Sequence, residues 1–433
     1  MTPDPVHDLL GVGIGPFNLG LAALLDRVDG VDAVFLDERP AFSWHPGLLL
    51  EGTTTQVPFL ADLVTLVDPT SPHSFLNYLS AHGRLLRFYL RERFHLPRRE
   101  YDHYCRWVAE RLPSCRFGAR VEALRWLAAE RVFEADVHLS GAGRVGLLRA
   151  RDVVLGVGTV PEVPEALAPM LGPDVLHAAD FLGHRERLLR AASIAVVGSG
   201  QSGAEVFLDL LREQPRHRYR LVWITRSPGF LPMEYTRLAL EHFSPEYTRY
   251  FHGLPVEVRD RLLPTQDLLY RGIDAQTVEE IYALLYERSA AGAEPPVELR
   301  PHIAVEAVER TGEGLRLHCR QWEQGRRLDV DAECAVLATG FVARRPACVE
   351  ELAPLIRWDE AGRYRVGLDY RVAMDPSVTG SLFVQNAELH THGVGAPDLG
   401  LGAHRGASIV NAICGREVYR LPRRTIVTEF GVA

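Results

Sequence analysis

Closely spaced cysteines are the first feature that this sequence lacks. No two of its six cysteines form a C-x-x-C pair, which excludes a redox-active disulfide and the flavin disulfide reductases that depend on one. Scattered cysteines are typical of proteins in a reducing compartment, and we therefore expect a cytoplasmic location. The six are Cys105, Cys115, Cys319, Cys334, Cys348 and Cys414.

The sequence also lacks a concentrated basic segment and a long apolar run. With 48 Lys and Arg against 56 Asp and Glu, its net charge is −8, which argues against nucleic acid or an anionic membrane as a partner. No apolar run approaches the ~20 residues of a membrane span. The first seven residues are polar, and we expect no signal peptide there.

What remains is the composition of an ordinary globular protein. The chain has 433 residues, 47% of them hydrophobic and 24% charged, and this length favours two domains over one. Its 37 glycines suit an α/β fold with many tight turns.

A glycine-rich turn near the N-terminus predicts a dinucleotide site. An apolar strand leads into Gly13 and Gly15, and an amphipathic segment at 19–25 follows Pro16 and Asn18. Glycine allows a sharp turn and close approach of a ligand, and the N-terminus of the following helix suits a pyrophosphate. Asn18 stands where G-x-G-x-x-G has its third glycine. Taken alone, the motif could also be only a tight turn.

Two further features strengthen this interpretation. The strand at 33–36 ends in Asp37, about 20 residues after the loop, where an acid binds the ribose of an adenosine. A second strand, loop and helix follow at 194–211, with Gly198, Gly200, Gln201 and Ser202 in the loop. A chain with two such units is predicted to hold two dinucleotides.

The two units differ at the end of their second strand. After 221–224 the chain continues with Thr225, Arg226 and Ser227, where the first unit has an acid. A guanidinium and hydroxyls would bind a 2′-phosphate that a carboxylate would repel. The first site is therefore predicted to bind FAD and the second NADPH, although Arg226 could also be an ordinary surface arginine.

The fold class predicted is α/β, with two Rossmann-like dinucleotide-binding domains, the NADPH domain inserted into the FAD domain. Similar apolar strands ending in small residues, near 156–161 and 335–341, indicate the two crossings between the domains. We predict a first FAD part at 1–165, an inserted NADPH domain at 166–330 and a second FAD part at 331–433.

The C-terminal part contains His390 and His392, an H-x-H pattern that invites a metal site. No cysteine cluster or carboxylate–histidine spacing nearby completes one, and we expect no metal. The loop with Leu399 and Gly400, which opens a helix at 406–414, is better suited to approach a flavin ring closely.

Seven short motifs occur in one order over nearly the whole chain. They are 13–18 (GIGPFN), 44–47 (WHPG), 56–60 (QVPFL), 75–78 (FLNY), 198–202 (GSGQS), 338–340 (ATG) and 385–386 (QN). Together they resemble the microbial lysine and ornithine N-hydroxylases, flavin-dependent N-monooxygenases of siderophore biosynthesis.

The resemblance implies several site residues. Trp44, His45 and Gln56 would lie near the flavin, and Gln56 and Asn386 are the candidates for positioning residues. Arg226 and Ser227 would bind the 2′-phosphate, and the motif containing Thr339 and Gly340 would belong to the cofactor sites. The family is typically tetrameric and uses no metal.

The implied reaction is NADPH- and O₂-dependent hydroxylation of the terminal amine of L-lysine, through a C4a-hydroperoxyflavin. The stretches 80–82 and 269–271 depart from the ornithine-type members, and 269–273 is closer to the lysine and diamine branch. Cadaverine or putrescine is the alternative substrate. His82, Leu269 and Arg271 are the candidate substrate residues, with His82 or Arg271 reading a carboxylate.

Two rivals remain in view. A Baeyer–Villiger or general flavin monooxygenase has the linker F-x-G-x-x-x-H before its second glycine loop; His177 is present, but Leu171 and Pro173 replace the phenylalanine and glycine. The other is a non-enzymatic redox sensor that binds NADP and flavin.

Overall fold

The structure, a computed structural model, describes residues 6–140 and 144–432. Within this part the strands are β1 Val6–Val12, β2 Ala33–Asp37, β3 Thr54–Pro58, β4 His95–Pro97, β5 Cys115–Phe117, β6 Ala119–Leu127, β7 Val132–Leu139, β8 Arg144–Leu155, β9 Val160–Pro161, β10 Val175–His177, β11 Ser193–Val197, β12 Arg220–Ile224, β13 Val297–Arg300, β14 Ile303–Thr311, β15 Gly314–Gln321, β16 Arg326–Ala332, β17 Cys334–Leu337, β18 Phe341–Val342 and β19 Leu382–Val384.

The α-helices alternate with these strands. They are α1 Pro16–Leu25, α2 Phe75–Ala81, α3 Leu85–Arg91, α4 Arg98–Ala109, α5 Phe181–Leu188, α6 Gln201–His217, α7 Pro245–His252, α8 Val256–Leu262, α9 Asp267–Tyr270, α10 Ala275–Arg288, α11 Leu389–His392 and α12 Gly402–Cys414. Short 3₁₀ turns join several of them.

The first sheet has the strand order β5-β2-β1-β8-β7-β6, and β19 also pairs with β8. Strands β5, β2, β1, β8 and β19 are parallel, whereas β6, β7 and β8 form an antiparallel meander. Helix α1 is buried over most of its length and packs against α12. Parallel strands with helices over them place the carboxyl ends of β1 and β2 at one edge, where dinucleotides bind.

The second sheet is entirely parallel, in the order β10-β17-β11-β12-β13. Helix α6 connects β11 to β12 with a buried apolar face, and the antiparallel strands β14, β15 and β16 come between β13 and β17 in the chain. The two sheets confirm a pair of Rossmann-like units, the second inserted into the first.

The two crossings lie side by side, because β9 pairs antiparallel with β18. The return comes later than the predicted boundary at 330, since β17 pairs with β10 and β11 in the second sheet. Because an apolar strand such as β17 could belong to the parallel sheet of either unit, only its hydrogen-bond pairing shows which sheet it joins. The boundary after residue 165 stays a prediction.

Helix ends differ modestly from the sequence expectations. The helix expected at 406–414 begins earlier, at Gly402, and the long helical region expected at 234–289 is four separate helices after an irregular segment. Pro245, Pro255 and Pro264 interrupt that region, because proline removes a hydrogen-bond donor and clashes with the preceding turn.

Candidate active site

The first glycine loop has the geometry of a phosphate cradle. Gly13 has φ +85°, and a Cβ placed on it would lie 2.7 Å from the carbonyl oxygen of Gly156. Gly15 caps α1 and Pro16 begins it, with a fixed φ that suits the first helical position. The free N–H groups of α1 therefore open at the end of β1, as a pyrophosphate requires.

Asn18 lies behind this loop. Its side chain is fully buried, and Nδ2 donates to the carbonyl oxygens of Gly13 at 2.7 Å and Val12 at 3.3 Å. Its Oδ1 accepts a 2.6 Å hydrogen bond from Gln385. We expected Asn18 among the cofactor-binding residues. Both ends of the amide bind protein atoms and shape the loop from inside, and direct contact of Asn18 with a cofactor stays a prediction.

Asp37 ends β2 with its carboxylate turned into the loop. Oδ2 accepts from the main-chain N–H of Ile14 at 2.8 Å, and Arg39 forms an ion pair with the same oxygen at 2.7 Å. Burial would raise the pKa of Asp37, but the Arg39 side chain and the main-chain donors outweigh it and lower the pKa. The carboxylate thus holds the glycine loop in place, and its contact with a ribose stays a prediction.

A row of rings lies where the two units meet. Trp44 contacts His45 edge-on at 5.1 Å, His45 contacts Phe341 at 5.5 Å, and Phe341 contacts His177 at 5.2 Å. His45 has a left-handed backbone with φ +47°. Part of its side chain is exposed to solvent. The protein packed around the rest of the imidazole disfavours the charged form and, together with the positive charges of Arg98 and Arg39, lowers the pKa of His45 to about 4. His45 is therefore a neutral residue of the cleft at physiological pH.

Gln56, on β3, joins the units from the other side of the cleft. Its Nε2 lies 3.3 Å from Sδ of Met233, and its carbonyl oxygen accepts a 2.7 Å hydrogen bond from the Tyr235 hydroxyl. Because a thioether is a weak acceptor, the amide can exchange this contact for a better one. Met233 and Tyr235 lie in an irregular segment whose sequence carries no motif, and sequence reasoning missed both.

The loop before α12 borders a small cavity next to the first glycine loop. Leu399 and Gly402 line it together with residues of α1, α4 and the 62–63 turn: Pro16, Phe17, Asp62, Leu63 and Tyr101. The Asp398 carboxylate accepts from the Gly400 N–H at 2.7 Å. Desolvation raises the pKa of Asp398 to about 6, although it is only half-buried. The predicted approach of Leu399 and Gly400 to a cofactor ring is compatible with this placement.

Asn386 follows β19 with a left-handed backbone, φ +64°, and its side-chain amide has no hydrogen-bond partner among the described residues. Two residues later Glu388 forms a 3.1 Å ion pair with Arg405, and both side chains are almost completely buried. Arg405 also stacks on Phe17, 4.3 Å from the ring centroid. Arg405 thus connects α12 both to Glu388 and to the start of α1. The side-chain amide of Asn386, two residues before Glu388, remains free among the described residues.

The second glycine loop repeats the first in detail. Gly198 has φ +119°, and a Cβ there would lie 2.2 Å from the carbonyl oxygen of Ala338. Gly200 caps α6, and Ser202 is half-buried in its first turn. The Oε1 of Gln201 accepts from the Asp274 N–H at 2.7 Å, and Nε2 donates to Glu205 at 2.8 Å, while contact of Gln201 with a cofactor stays a prediction. Its amide therefore anchors α10 to α6.

Among the described residues, the charged side chain at the end of the second strand is free in this unit, whereas in the first unit Asp37 is paired with Arg39. The Thr225 hydroxyl donates to Oγ of Ser199 at 2.9 Å, and the Ser227 N–H donates back to Thr225. Arg226 is exposed, and its guanidinium has no partner among the described residues. A free guanidinium beside a half-buried Ser227 is compatible with a phosphate ligand, and its binding by Arg226 and Ser227 stays a prediction.

Thr339 and Gly340 lie at the second crossing. The Thr339 hydroxyl donates to the carbonyl oxygen of Glu162, and the Glu162 N–H donates to the carbonyl oxygen of Gly340 at 2.9 Å. The His177 Nε2 lies 3.1 Å from the same Gly340 oxygen. These contacts fix the crossing, and direct contact of Thr339 or Gly340 with a cofactor stays a prediction.

The three candidate substrate residues have different surroundings. His82 is exposed at the end of α2 and packs on the rings of Tyr78, His103 and Trp107. Arg271 is exposed, lies over the Tyr270 ring and forms a 3.5 Å pair with Asp267. Leu269 belongs to an apolar cluster with Tyr247 and Val394. Their role in binding a substrate, which the resemblance implied, stays a prediction.

The H-x-H pattern is engaged in structural contacts. His390 Nε2 lies 2.8 Å from the Tyr364 carbonyl oxygen, and His392 stacks on Tyr370. Burial lowers the pKa of both histidines. Within residues 6–140 and 144–432, no group of three His, Cys, Asp or Glu side chains is placed to hold a metal ion.

A buried ion pair joins the two units below the cleft. Arg98, at the start of α4, lies 2.8 Å from Glu205 of α6, with side chains 11% and 2% exposed. Arg98 also donates to the carbonyl oxygens of Thr54 and, from its main chain, Thr53. Neither residue stands in a recognisable motif, and sequence reasoning missed the pair.

Two glycine cradles, one with an acid at the end of its second strand and one with a cation there, are typical of an oxidoreductase that binds two dinucleotides. The profile of the L-lysine 6-monooxygenase/L-ornithine 5-monooxygenase family matches residues 5–343. The chain belongs to this family, as the motifs predicted.

Curated relatives cover almost the whole chain. It is 44% identical to the rhizobactin siderophore biosynthesis protein RhbE of Rhizobium meliloti, over 98% of this chain and 95% of that protein. It is 40% identical to a putrescine N-hydroxylase of Shewanella oneidensis, over 98% and 84%. The L-lysine N6-monooxygenase of Escherichia coli is 34% identical, over 96% of both.

Solved structures agree with this assignment. The FAD-bound cadaverine monooxygenase of desferrioxamine biosynthesis from Erwinia amylovora has a TM-score of 0.96 and 42% identity, over 99% of both chains. The ornithine N-hydroxylase of Kutzneria sp. 744, solved with reduced FAD, NADP⁺ and L-ornithine, has a TM-score of 0.88 and 29% identity, over 95% and 99%. The cofactors are FAD and NADPH, and the enzyme is a flavin-dependent N-monooxygenase.

None of the helices in the described ranges has the length and apolar character needed to cross a membrane.

Proposed function

We propose that the enzyme hydroxylates one terminal amine of an aliphatic diamine, putrescine or cadaverine, for siderophore biosynthesis. The observation that carries this proposal is the set of relatives. A putrescine N-hydroxylase at 40% identity and a cadaverine monooxygenase at a TM-score of 0.96 resemble the chain more than the lysine N6-monooxygenase at 34% does. The diamine alternative is thus better supported than L-lysine, our first expectation.

The site supports the same choice. A lysine substrate would need a cation for its carboxylate, and the two candidates we named are poorly placed for it. His82 packs on the outer rings of α2 and α4, and Arg271 is paired with Asp267. Arg405, next to Phe17, is almost completely buried and paired with Glu388. A diamine carries no carboxylate and needs none of these residues.

The protein's part in the reaction follows from the cleft. When bound and reduced by NADPH, the flavin supplies the oxygen activation. The chain must bring the amine to the ring as a neutral nucleophile, although an alkylamine has a pKa of about 10.4 in water. Desolvation of the amine in the site would favour its neutral form. We infer that the amides of Gln56 and Asn386 position it.

Turnover with four substrates tests the proposal. Purified FAD-loaded enzyme is assayed with putrescine, cadaverine, L-lysine and L-ornithine, and the hydroxylamine product is quantified rather than NADPH loss alone. We expect the highest kcat/KM for product formation with one of the two diamines. A higher value with L-lysine would restore our first expectation, and product from none of the four, with NADPH binding intact, would favour the redox-sensor rival.

We also infer that copies of the chain associate, in line with the expected tetramer. Helix α3 has no buried residue and exposes a line of large apolar side chains. These are Leu85, Leu86, Tyr89 and Leu90, joined by Phe94. A contiguous apolar surface of this kind is typical of an interface. Sedimentation of the wild type and of Leu86→Glu would test it, and identical monomeric behaviour of both would exclude it.

A further inference from the structure

Trp322 is an exposed tryptophan fixed beside the open strand end of the second unit. Of the six tryptophans, all within the described part of the chain, it alone is exposed, with 51% of its surface accessible. Leaving so large an apolar ring in water is unfavourable unless the ring has a partner. The sequence alone gives no reason for a tryptophan in the turn between β15 and β16.

The position of the ring is set by hydrogen bonds. Its Nε1 donates to the carbonyl oxygen of Arg226 at 3.1 Å. Its main-chain N–H donates to the carbonyl oxygen of His302 at 3.4 Å, and the His302 N–H donates to the carbonyl oxygen of Ser227 at 3.0 Å. The indole edge is therefore satisfied by protein, and an open part of the ring remains beside the predicted phosphate residues.

This location matches the geometry of a nucleotide. The 2′-phosphate is attached to the ribose that carries the adenine, and so a base lies a few ångströms from any group that binds that phosphate. Arg226 and Ser227 would hold the phosphate, while Trp322 offers a π surface next to them. The His302 ring packs against the indole in a tilted arrangement, with 5.4 Å between the ring centroids. The Glu323 carboxylate lies 3.6 Å from Nδ1 of His302.

We propose that the adenine base of NADPH stacks on the exposed face of Trp322. Base–aromatic stacking contributes enough affinity that its loss weakens binding about tenfold or more. The contact is independent of the amine substrate and of the flavin chemistry. Because NADPH and NADH share the adenine, Trp322 must act on both, whereas Arg226 discriminates between them.

Binding of adenosine 2′,5′-bisphosphate to the FAD-loaded enzyme tests this directly, by calorimetry and by tryptophan fluorescence. We expect the ligand to change the fluorescence of the wild type and of Trp358→Phe, a control in the other unit. Trp322→Leu should lose that change and bind about tenfold more weakly. Trp322→Tyr, which keeps an aromatic ring, should recover most of the affinity. Wild-type affinity in Trp322→Leu would overturn the proposal.

Anaerobic flavin reduction by NADPH and by NADH separates stacking from phosphate binding. For Trp322→Leu, we expect the Kd of both nucleotides to rise by a similar factor. A rise confined to NADPH would assign Trp322 to the phosphate and contradict stacking. A changed sedimentation coefficient with unchanged nucleotide binding would show that the indole is a contact between copies of the chain, which would also overturn the proposal.

Discussion

The two nucleotide units share one backbone arrangement, but the charged residues at the ends of their second strands have opposite signs. In the first unit Asp37 turns inward, binds the Ile14 N–H and pairs with Arg39. In the second Arg226 is exposed and has no side-chain partner among the described residues. A strand end committed to its own loop suits a nucleotide that stays bound, and an open one suits a nucleotide that comes and goes. The difference fits FAD as the resident cofactor and NADPH as the exchanging one.

The strongest way to separate the units is to block one glycine loop. In Gly198→Ala the new Cβ would lie 2.2 Å from the Ala338 oxygen at φ +119°, so the loop must move. A displacement of about 1 Å can cost about a hundredfold in rate. We expect flavin reduction by NADPH to fall by about that factor while the FAD content is unchanged, measured by stopped-flow absorbance.

The control for that variant is Gly30→Ala. Gly30 also has a positive φ, +81°, but a methyl group placed on its Cα would have no heavy atom within 4 Å. We therefore expect Gly30→Ala to lower the stability of the fold by about 1–2 kcal/mol through backbone strain and to leave cofactor binding unchanged. Loss of FAD in Gly198→Ala would show that the units are not independent.

The ion pair between Arg98 and Glu205 offers a second test of how far the two units depend on each other. Removing one partner of a buried pair costs about 3–5 kcal/mol, because the other charge is left without compensation. For Arg98→Ala we expect a loss of this order in the free energy of unfolding, measured by urea denaturation of the holoenzyme. Replacing both partners, with Arg98→Met and Glu205→Leu, should recover most of it. Equal loss in the double variant would contradict the pairing argument.

The cation of the second unit should discriminate between the nucleotides. Hydrogen bonds to a charged group contribute about 1.5–3 kcal/mol. Arg226→Ala should thus raise the Kd for NADPH by about tenfold to a hundredfold and leave that for NADH nearly unchanged. The exposed Arg327→Ala is the matched control. Equal losses with both nucleotides would refute the phosphate role.

The acid of the first unit should have the smallest effect. Asp37→Asn keeps an acceptor for Ile14 but loses the ion pair with Arg39, whose exposure limits its contribution to about 1 kcal/mol. We expect a modest loss of FAD affinity at neutral pH, measured by flavin release on dilution.

The lowered pKa of Asp37 also makes its contribution to the stability of the fold depend on pH. Its ordinary value is 3.8, so the ionised carboxylate stabilises the fold fully above that pH. The contribution is lost as the pH falls through the lower, folded-state pKa. The stability difference between wild type and Asp37→Asn should therefore shrink on acidification. A difference that grows at low pH would contradict the assignment.

Local patterns predicted what depends on local chemistry. The glycine loops were predictable because only glycine tolerates the φ values of Gly13 and Gly198 against a facing carbonyl. The division of 245–288 into four helices was predictable only in part. Its prolines are visible in the sequence, but which segments between them become helical depends on the packing of their apolar faces. The sequence could not choose between His82 and Arg271 as the reader of a carboxylate, because the surroundings of both side chains depend on residues distant in the chain.

The sequence by itself determined the two cradles, their order and the charge at each strand end, because these are properties of a few contiguous residues. Only the tertiary structure decided which polar groups remain available to a ligand. It buried Asn18, turned Asp37 into its own glycine loop, joined Gln201 to the start of α10, and left Arg226 and Trp322 exposed at one edge. Availability depends on contacts between residues far apart in the chain, and those exist only once the sheets have formed.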